Sequence, residues 1–597
     1  MSRNDEVAAL LEEFADRLEA TGVEYKPTAY RRAAENVRDH PAPVENLAGE
    51  GEEAVAEIDR VGDAIASKIV EYFETGAIEE LSELRAELPV EIDALTAVEG
   101  VGPKTVGALY RELEITTLDE LEAAAEAGEI REIKGFGAKT EANVLDNIPF
   151  ARESRKRTRL GDARPIADAA LSYLADVDDV TTVEVCGSIR RWKDTIGDVD
   201  VLVASTDGTA AVEAFTDWPD ADATIEAGSG KASVRTDGVR VDLRVVDETE
   251  FGAALQYFTG SKAHNVAVRN RAIDRGLKVN EYGVFDVGNG DDGDDDDGDD
   301  DDGDDGDDGA DQRAGDRVAG ETEEGVYDAL GMTWVPPELR ENTGEVAAAA
   351  AGELPELVET DDVAGDLHTH SDWSDGSYTI AEMVEGAADR GYAYHAVTDH
   401  AAGPGIFGNT GLDEAAIEAQ AETVAEVAAD ADIEVLHGIE ANIDADGAIT
   451  TDDETLAELD LVVASPHSAL DADADAATDR LVRAVEHPHV DVLGHPTGRI
   501  INSREGIAPD FEAVAEAAAA AGTAIEVNAN PARLDASGGA VRAAIAAGAT
   551  IAINTDAHSP REFDNVRYGV HTARRGWAER ADVLNTRSVE ELRAFLH

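Results

Sequence analysis

VEVCGSIRRWKDTIGDVDVLV, residues 183–203, reads as two short strands joined by a turn. The apolar–polar alternation of VEV and of VDVLV is that of half-buried β-strands. Between them GSIRR, 187–191, supplies a glycine, a hydroxyl and two arginines, a composition that suits gripping phosphate through backbone N–H groups and guanidinium forks. Asp198 and Asp200 are two apart, so on a strand they face the same side. GVRVDLRVV, 238–246, repeats the alternation and brings Asp242 on a strand that can pair alongside. Three carboxylates on one sheet face can hold two Mg2+ or Mn2+ ions, which align a hydroxyl with a triphosphate. A bare D-x-D is more often a pair of polar positions on a solvated face; the GSIRR turn beside it favours chemistry.

Working outward, residues 1–84 read as short amphipathic helices, as in EVAALLEEFADRLEATG, and 85–150 as further short helices punctuated by G-x-G turns. VEGVGPKTVGALY, with Gly100, Gly102 and Lys104, and IKGFGAKTEANVL, with Gly135, Gly137 and Lys139, repeat one pattern. An apolar-G-x-G turn opening a helix looks like a helix-hairpin-helix, in which glycines let a backbone phosphate approach the helix N-terminus. A solitary G-x-G is usually a plain turn, but two copies with a matched lysine favour DNA bound without sequence preference. A third copy, IDRVGDAIASKIVEYFETG, keeps Gly62 but has Arg60 where the first glycine belongs, which weakens that turn. The sheet is expected over 151–250 and a further part over 251–343. Residues 288–309 contain only Gly, Asp and one Asn and read as a solvated, self-repelling insertion. Residues 344–363 form a linker whose Ala/Glu content could equally be helical.

From 364 to 597 short apolar strands alternate with Ala/Glu-rich helices: GDLHTH, YHAVTDH, EVLHGIEAN, LVVASPH, DVLGHP, AIEVNA and ATIAINTDAH. Seven such units predict a parallel (βα)7 barrel, whose strand ends are where barrels place chemistry. His368, His370, Asp375, His400, Glu440, His467, His495, Asp556 and His558 fall at those ends. A lone histidine is usually structural, and His395, His437, His487 and His489 keep that reading. Nine converging N/O groups exceed one coordination sphere, so two or three Mn2+, Zn2+ or Fe2+ ions are expected.

The chain has 597 residues, enough for about three or four domains. Its 129 acidic residues against 49 basic ones give a net charge of -80, and only 10 of the basic ones are lysines. Such acidity along the whole length fits a salt-rich cytoplasm, because carboxylates keep a protein hydrated in concentrated electrolyte. No apolar stretch reaches membrane-helix length and the start has no signal core, so no membrane is expected. The lone Cys186 excludes an internal disulfide and a cysteine zinc site.

GSIRR, GDVDVLV, RVDLR, LQYFTGSKAHNVAVRNRA and NEYGVF, in that order, resemble the family X DNA polymerases of the nucleotidyltransferase superfamily over about residues 1–340. HTHSDWSDG, TDH, GIEAN, SPH, GHP and NTDAH resemble the polymerase and histidinol phosphatase (PHP) family over about 364–597, with all nine usual ligand positions filled. The resemblance implies a multidomain α+β and α/β architecture: helix-hairpin-helix N-terminal region, nucleotidyltransferase palm with thumb, and PHP barrel. It implies that Asp198 and Asp200 ligate both metals, and that Asp242 ligates the catalytic one and helps deprotonate a primer 3′-hydroxyl. Ser188, Arg191 and Gly197 match triphosphate-binding positions; Tyr257, Phe258 and Gly260 match the segment against the nucleotide sugar; Asn265 and Arg269 match residues probing the nascent pair and template. Lys262 stands where vertebrate members carry an acidic residue. Lys68 falls where lyase-active members have a Schiff-base nucleophile, and Lys26 and Tyr30 match a 5′-phosphate pocket; a phosphate clamp is the equal alternative for Lys68.

The resulting expectation is a monomeric polymerase using deoxynucleoside triphosphates to fill short gaps in gapped or nicked DNA. Its PHP domain would act as a 3′–5′ exonuclease, with abasic-site cleavage as a further activity. The rivals are a small-molecule phosphatase on an inactive DNA-end-binding module, and a non-enzymatic end-binding module. Raising KCl from low to molar concentration is expected to raise the midpoint of thermal unfolding; a higher midpoint in low salt contradicts salt adaptation.

Overall fold

The computed structural model describes the chain apart from residues 1–2, 24–25, 40–43, 57, 59, 76, 97, 99, 134–135, 155–156, 288–311, 407–409, 471, 503, 505 and 597. It divides into two compact units, residues 1–157 with 237–239, and residues 158–236 with 240–597.

The first unit is helical. Val7, Leu11, Phe14 and Leu18 recur along helix Arg3–Ala20 at three- and four-residue spacing and share a core with Ala33, Ala34 and Val37 of Lys26–Asp39 and Ile65, Ile69 and Val70 of Asp63–Thr75. A second core joins Val106 and Leu109 of Pro103–Leu113 to Leu121 of Leu118–Glu126 and Val144 and Ile148 of Ala138–Ser154. Gly100 takes the left-handed φ of +83° that its turn requires, and Arg60 takes the same kind of turn at +57°. The arginine therefore keeps the hairpin turn, at a strain of about 1–2 kcal/mol for a residue with a Cβ.

In the second unit, strand Val199–Ser205 lies between Val180–Val185, antiparallel, and Val239–Val246, parallel; Lys231–Thr236 and Ala223–Ala227 complete the five-stranded sheet. Two helices, Phe251–Thr259 and Lys262–Asp274, lead to a three-stranded sheet of Leu277–Asn280, Gly283–Asp286 and Asp316–Ala319. The Asp/Gly insertion lies outside the described residues, but the strands flanking it pair antiparallel, Asp286 opposite Asp316. Within the expected linker, Glu345–Ala351 is helical.

Glu323 ties this part together. It accepts two hydrogen bonds from Arg190, at 2.7 and 2.9 Å, and one from the fully buried Arg340 at 2.6 Å. Burial raises its carboxyl pKa, but Arg340 and Arg190 outweigh that and hold it down at about 2.

The C-terminal strands are Gly365–Asp366, Tyr394–Val397, Glu434–Asn442, Leu461–Ser465, Val492–Leu493, Ala524–Asn528 and Ile551–Asn554. All pair in parallel with their sequence neighbours, as the seven strand-like segments predict. The chain after the first strand meets the chain after the seventh through Asp556 N–H to His368 O (3.0 Å) and His370 N–H to Ala557 O (2.8 Å), which brings the barrel close to closure. Closure is what turns seven separate strand ends into one ring of side chains.

Replacing Glu323 by Gln leaves the buried Arg340 uncompensated and is expected to cost about 3–5 kcal/mol at pH 7. Because the folded pKa lies below the unfolded value of 4.5, that stabilisation is complete above about pH 4.5 and fades as pH falls towards 2. Denaturant unfolding followed by tryptophan fluorescence measures both; equal stability of the two proteins at pH 7 contradicts the assignment.

Candidate active sites

Parallel strands at successive positions around the barrel carry their terminal side chains to one end. His368 and His370, two apart, are both buried, and within 4.8 Å their ligand atoms meet one of Asp556. A second such group is His370, Asp375 and His400, and a third is His400, Glu440 and His467. His370 and His400 each belong to two groups, so the three form one continuous cluster.

Glu440 is its centre. This fully buried carboxylate lies 2.6 Å from His400 Nδ1, 2.9 Å from His495 Nε2, 3.1 Å from His467 Nε2 and 3.4 Å from His368 Nε2. Burial raises its pKa, and the neighbouring histidines more than reverse this. His400 is pushed the other way: burial lowers it, yet Glu440 and Asp375 carry it up to about 10. Many of these atoms are close without bonding. His368 Nε2, both ring nitrogens of His370, His400 Nδ1, His467 Nε2 and Glu440 Oε2 are buried with no hydrogen-bond partner, although His400 Nδ1 and Glu440 Oε2 are only 2.6 Å apart. Lone pairs aimed at common points rather than at one another are what metal ligands present, and the donor set fits Mn2+, Zn2+ or Fe2+. His558 completes the ring, its Nε2 3.4 Å from Asp375 and its Nδ1 2.8 Å from the Asp556 carbonyl.

Sequence reasoning missed the groups that orient these ligands. Glu526, buried in AIEVNA, accepts from His368 Nδ1 at 2.8 Å and from the His495 N–H at 2.6 Å. Asn442 Oδ1 lies 2.8 Å from His467 Nδ1. Asp399 in TDH accepts from the Ser371 N–H at 2.7 Å and also from the Ser374 hydroxyl, and so anchors the loop carrying Asp375. The only signal for these in sequence is a polar residue inside a strand otherwise buried on both faces. Of the histidines read as structural, His395 is buried, and burial lowers its pKa to about 4, while His437 bonds Gln420 at 3.2 Å.

In the palm, parallel pairing sets Asp200 directly opposite Asp242, and Asp198 joins them with ligand atoms within 4.8 Å. Burial first, then the charges of Asp198 and Asp242, push Asp200 up to about 7, so a divalent cation would be neutralising a group that resists ionising. Arg240 and Ser233, unremarked in sequence, hold Asp242; the Arg240 Nε lies 2.8 Å from its carboxylate. The turn has its glycine for a reason: a Cβ on Gly187, whose φ is +59°, would lie 2.1 Å from Asp200 Oδ2.

The two arginines of the turn divide. Arg190 is bound to Glu323, whereas Arg191 donates to Glu341 at 2.8 Å and to the Thr259 carbonyl at 2.7 Å. Ser188 is half-buried and Gly197 exposed. Tyr257 and Phe258 meet edge to face at 5.2 Å, and Arg244 lies 4.2 Å over Phe258. Asn265 donates to the Tyr257 carbonyl at 2.7 Å, and a Cβ on Gly260 would lie 2.3 Å from Asn265 Oδ1. Lys262 and Arg269 are exposed.

In the helical unit, Cβ atoms on Gly62, Gly102 or Gly137 would meet nothing within 4 Å, which leaves those backbones open to a ligand. Lys26, Lys104 and Lys139 are exposed; Gly135 lies outside the described residues. Lys68 is mostly buried, 2.7 Å from Glu80, and Tyr30 is buried in a stack on Phe14 at 4.4 Å. Burial pulls the Lys68 ammonium down, but Glu80 and Tyr30 more than offset this and leave its pKa raised.

Known families align with these parts in the same order. The helix-hairpin-helix domain model matches residues 2–78, the SAM-like helix-hairpin-helix tandem 92–148, the DNA polymerase beta palm 162–223, the DNA polymerase beta thumb 254–341 and the PHP domain 366–530. The DNA polymerase/3′-5′ exonuclease PolX of Bacillus subtilis is 32% identical over 596 residues, 99% of each chain. DNA polymerase lambda of Rattus norvegicus is 24% identical over 298 residues, 47% of this chain and 48% of that one. A probable phosphatase of Caldanaerobacter subterraneus is 34% identical over 174 residues, 27% of this chain and 61% of that one.

Glu526→Gln is expected to weaken metal binding at the barrel by about 10–100-fold, the usual effect of losing a partner behind a ligating histidine. Titration of metal-stripped protein with Mn2+ measures it; wild-type affinity contradicts the role.

Proposed function

The chain belongs to the family X DNA polymerases that carry a C-terminal PHP domain, and from that premise we propose that it fills short gaps during DNA repair and trims 3′ ends at the barrel. It is a DNA polymerase and 3′–5′ exonuclease. The observation that carries the two-site reading is the completeness of both constellations: three palm carboxylates on paired strands, and nine barrel groups in one cluster.

At the palm, bound Mg2+ or Mn2+ would align the primer 3′-hydroxyl with the triphosphate and offset the charge that develops there. Asp198 and Asp200 would hold both ions; Asp242, beside the growing end, would hold one and accept the hydroxyl proton. Arg191, with Ser188 and Gly197, would take the triphosphate, so its pairing with Glu341 must be exchanged for phosphate oxygens. Tyr257, Phe258 and Gly260 would face the sugar, and Asn265 and Arg269 the nascent pair and template.

At the barrel, two or three Mn2+, Zn2+ or Fe2+ ions would supply an activated water and stabilise the oxygens of an in-line displacement. His368, His370, Asp556, Asp375, His400, Glu440, His467, His495 and His558 would hold them. Cleavage at an abasic site would be the same hydrolysis applied to an internal phosphodiester.

Gly100, Gly102, Gly137 and Gly62, with Lys104 and Lys139, would bind the DNA backbone of a gap or nick. Lys68, held charged by Glu80 and Tyr30, suits a 5′-phosphate clamp with Lys26 better than imine formation, which needs a neutral amine. In molar salt charges are screened within about 3 Å, so a net charge of -80 leaves such short-range contacts intact. A monomer working on gapped or nicked DNA in a salt-rich cytoplasm fits this picture; no described helix is long and apolar enough to cross a membrane. A phosphatase on an inert scaffold has no need of the palm triad in register.

On a one-nucleotide-gapped duplex in molar KCl with Mn2+, Asp200→Ala is expected to lower extension by more than about 100-fold and leave shortening intact, with the reverse for His370→Ala. Wild-type protein that does neither but hydrolyses small phosphate esters contradicts the proposal.

A further inference from the structure

Palm and barrel lie in one compact unit, and a cluster of their contacts falls on Trp192–Asp194, the residues directly after Arg191. Trp192 has φ +54°, in the left-handed region, and is 9% exposed. A side-chain-bearing residue keeps that conformation only where its surroundings over-determine it. Here the surroundings come largely from the barrel's helix Val566–Arg575. The His571 ring stacks on the Trp192 indole with centroids 3.7 Å apart and planes 7° from parallel, and Tyr568 meets it edge-on at 5.9 Å. Arg575 Nη1 donates to the Trp192 carbonyl at 3.3 Å and to Asp194 Oδ1 at 2.6 Å, while Arg499 takes the other Asp194 oxygen at 2.9 Å. On the palm side Arg164 lies 4.8 Å over the same indole.

We propose that the barrel is part of the polymerase's nucleotide site: His571 and Arg575 are positioning residues that hold Trp192–Asp194 in a strained turn and thereby aim Arg191 at the incoming triphosphate. This rests on the reading of Arg191 as a triphosphate ligand. Without the barrel's grip, Trp192 relaxes to negative φ and the guanidinium one residue upstream swings with the backbone. Other contacts between palm and barrel lie off the turn itself. Arg567 pairs with Asp168 at 3.1 Å, and Gly161 packs so closely on Pro531 that a Cβ would lie 2.3 Å from it. Arg567 also donates to the Tyr568 hydroxyl at 3.0 Å, one step from the indole, so Arg567→Gln loosens palm against barrel while leaving His571 and Arg575 on the turn, and serves as the control.

The test is single-nucleotide incorporation by the full-length enzyme on a gapped primer, with 3′–5′ shortening measured on the same preparations. Arg575→Ala is expected to raise KM for the deoxynucleoside triphosphate about tenfold with kcat within about threefold and shortening unchanged, since misplacing a binding group by a fraction of an ångström weakens substrate positioning. Arg575→Lys keeps the charge on a shorter side chain that places its ammonium less deeply against the two acceptors, and should fall between; if Arg575→Ala also loses shortening, Arg575→Lys is read by the same criteria. Arg567→Gln should leave KM unchanged. An unchanged KM in Arg575→Ala, or an equal rise in Arg567→Gln, overturns the proposal. Arg191→Lys separates the two layers: a raised KM there beside an unchanged one in Arg575→Ala overturns the positioning role alone, and an unchanged KM in Arg191→Lys overturns the triphosphate reading and the positioning role with it.

Discussion

A carboxylate with no access to water, Glu440, set among His368, His400, His467 and His495, is the constraint around which the C-terminal half is organised. Burying one charge costs several kcal/mol unless it is paired and hydrogen-bonded. Here His495 bonds one oxygen at 2.9 Å, while the ring nitrogens that His368, His400 and His467 turn towards it are left without hydrogen-bond partners, a balance that divalent cations would complete. The rest of the barrel follows from that need. Consecutive parallel strands bring each ligand to one end, the backbone bonds joining His368 and His370 to Asp556 and Ala557 draw the first and last strands together, and Glu526, Asn442 and Asp399 fix the orientation of groups that would otherwise rotate.

The palm solves the same problem with less burial. Two strands in parallel register bring Asp200 beside Asp242, and Asp198 follows from the period-two geometry of the strand. Arg240 offsets part of the charge of Asp242, while burial and the charges of Asp198 and Asp242 leave Asp200 resisting ionisation. The turn upstream is stiffened from both sides, by Glu323 on Arg190 and by the barrel helix Val566–Arg575 on Trp192 and Asp194.

Local rules make much of this legible in the sequence. Alternation locates the palm strands, and the recurrence of His, Asp and Glu at the ends of seven apolar runs locates the barrel site. The same rules have no purchase on pairings distant in sequence. Asp194 with Arg575 and Arg499, Arg190 with Glu323, and His264 with Glu345 join segments whose local patterns say nothing of one another. Glu526 escapes notice because one acidic residue in AIEVNA looks no different from a surface position until the strand is buried on both faces. Arg60 shows the opposite error of emphasis: a missing glycine suggests a weakened hairpin turn, yet the arginine takes the left-handed conformation in its place. The Asp/Gly insertion and Gly135 lie outside the described residues.

The central claim, that both constellations exist to hold divalent cations, is tested most directly by anomalous scattering at the manganese edge from crystals of the full-length protein grown in Mn2+. Peaks are predicted between Asp198, Asp200 and Asp242, and at two or three positions around Glu440 shared by the barrel histidines. A map with no anomalous density inside the Glu440 ring would contradict the account.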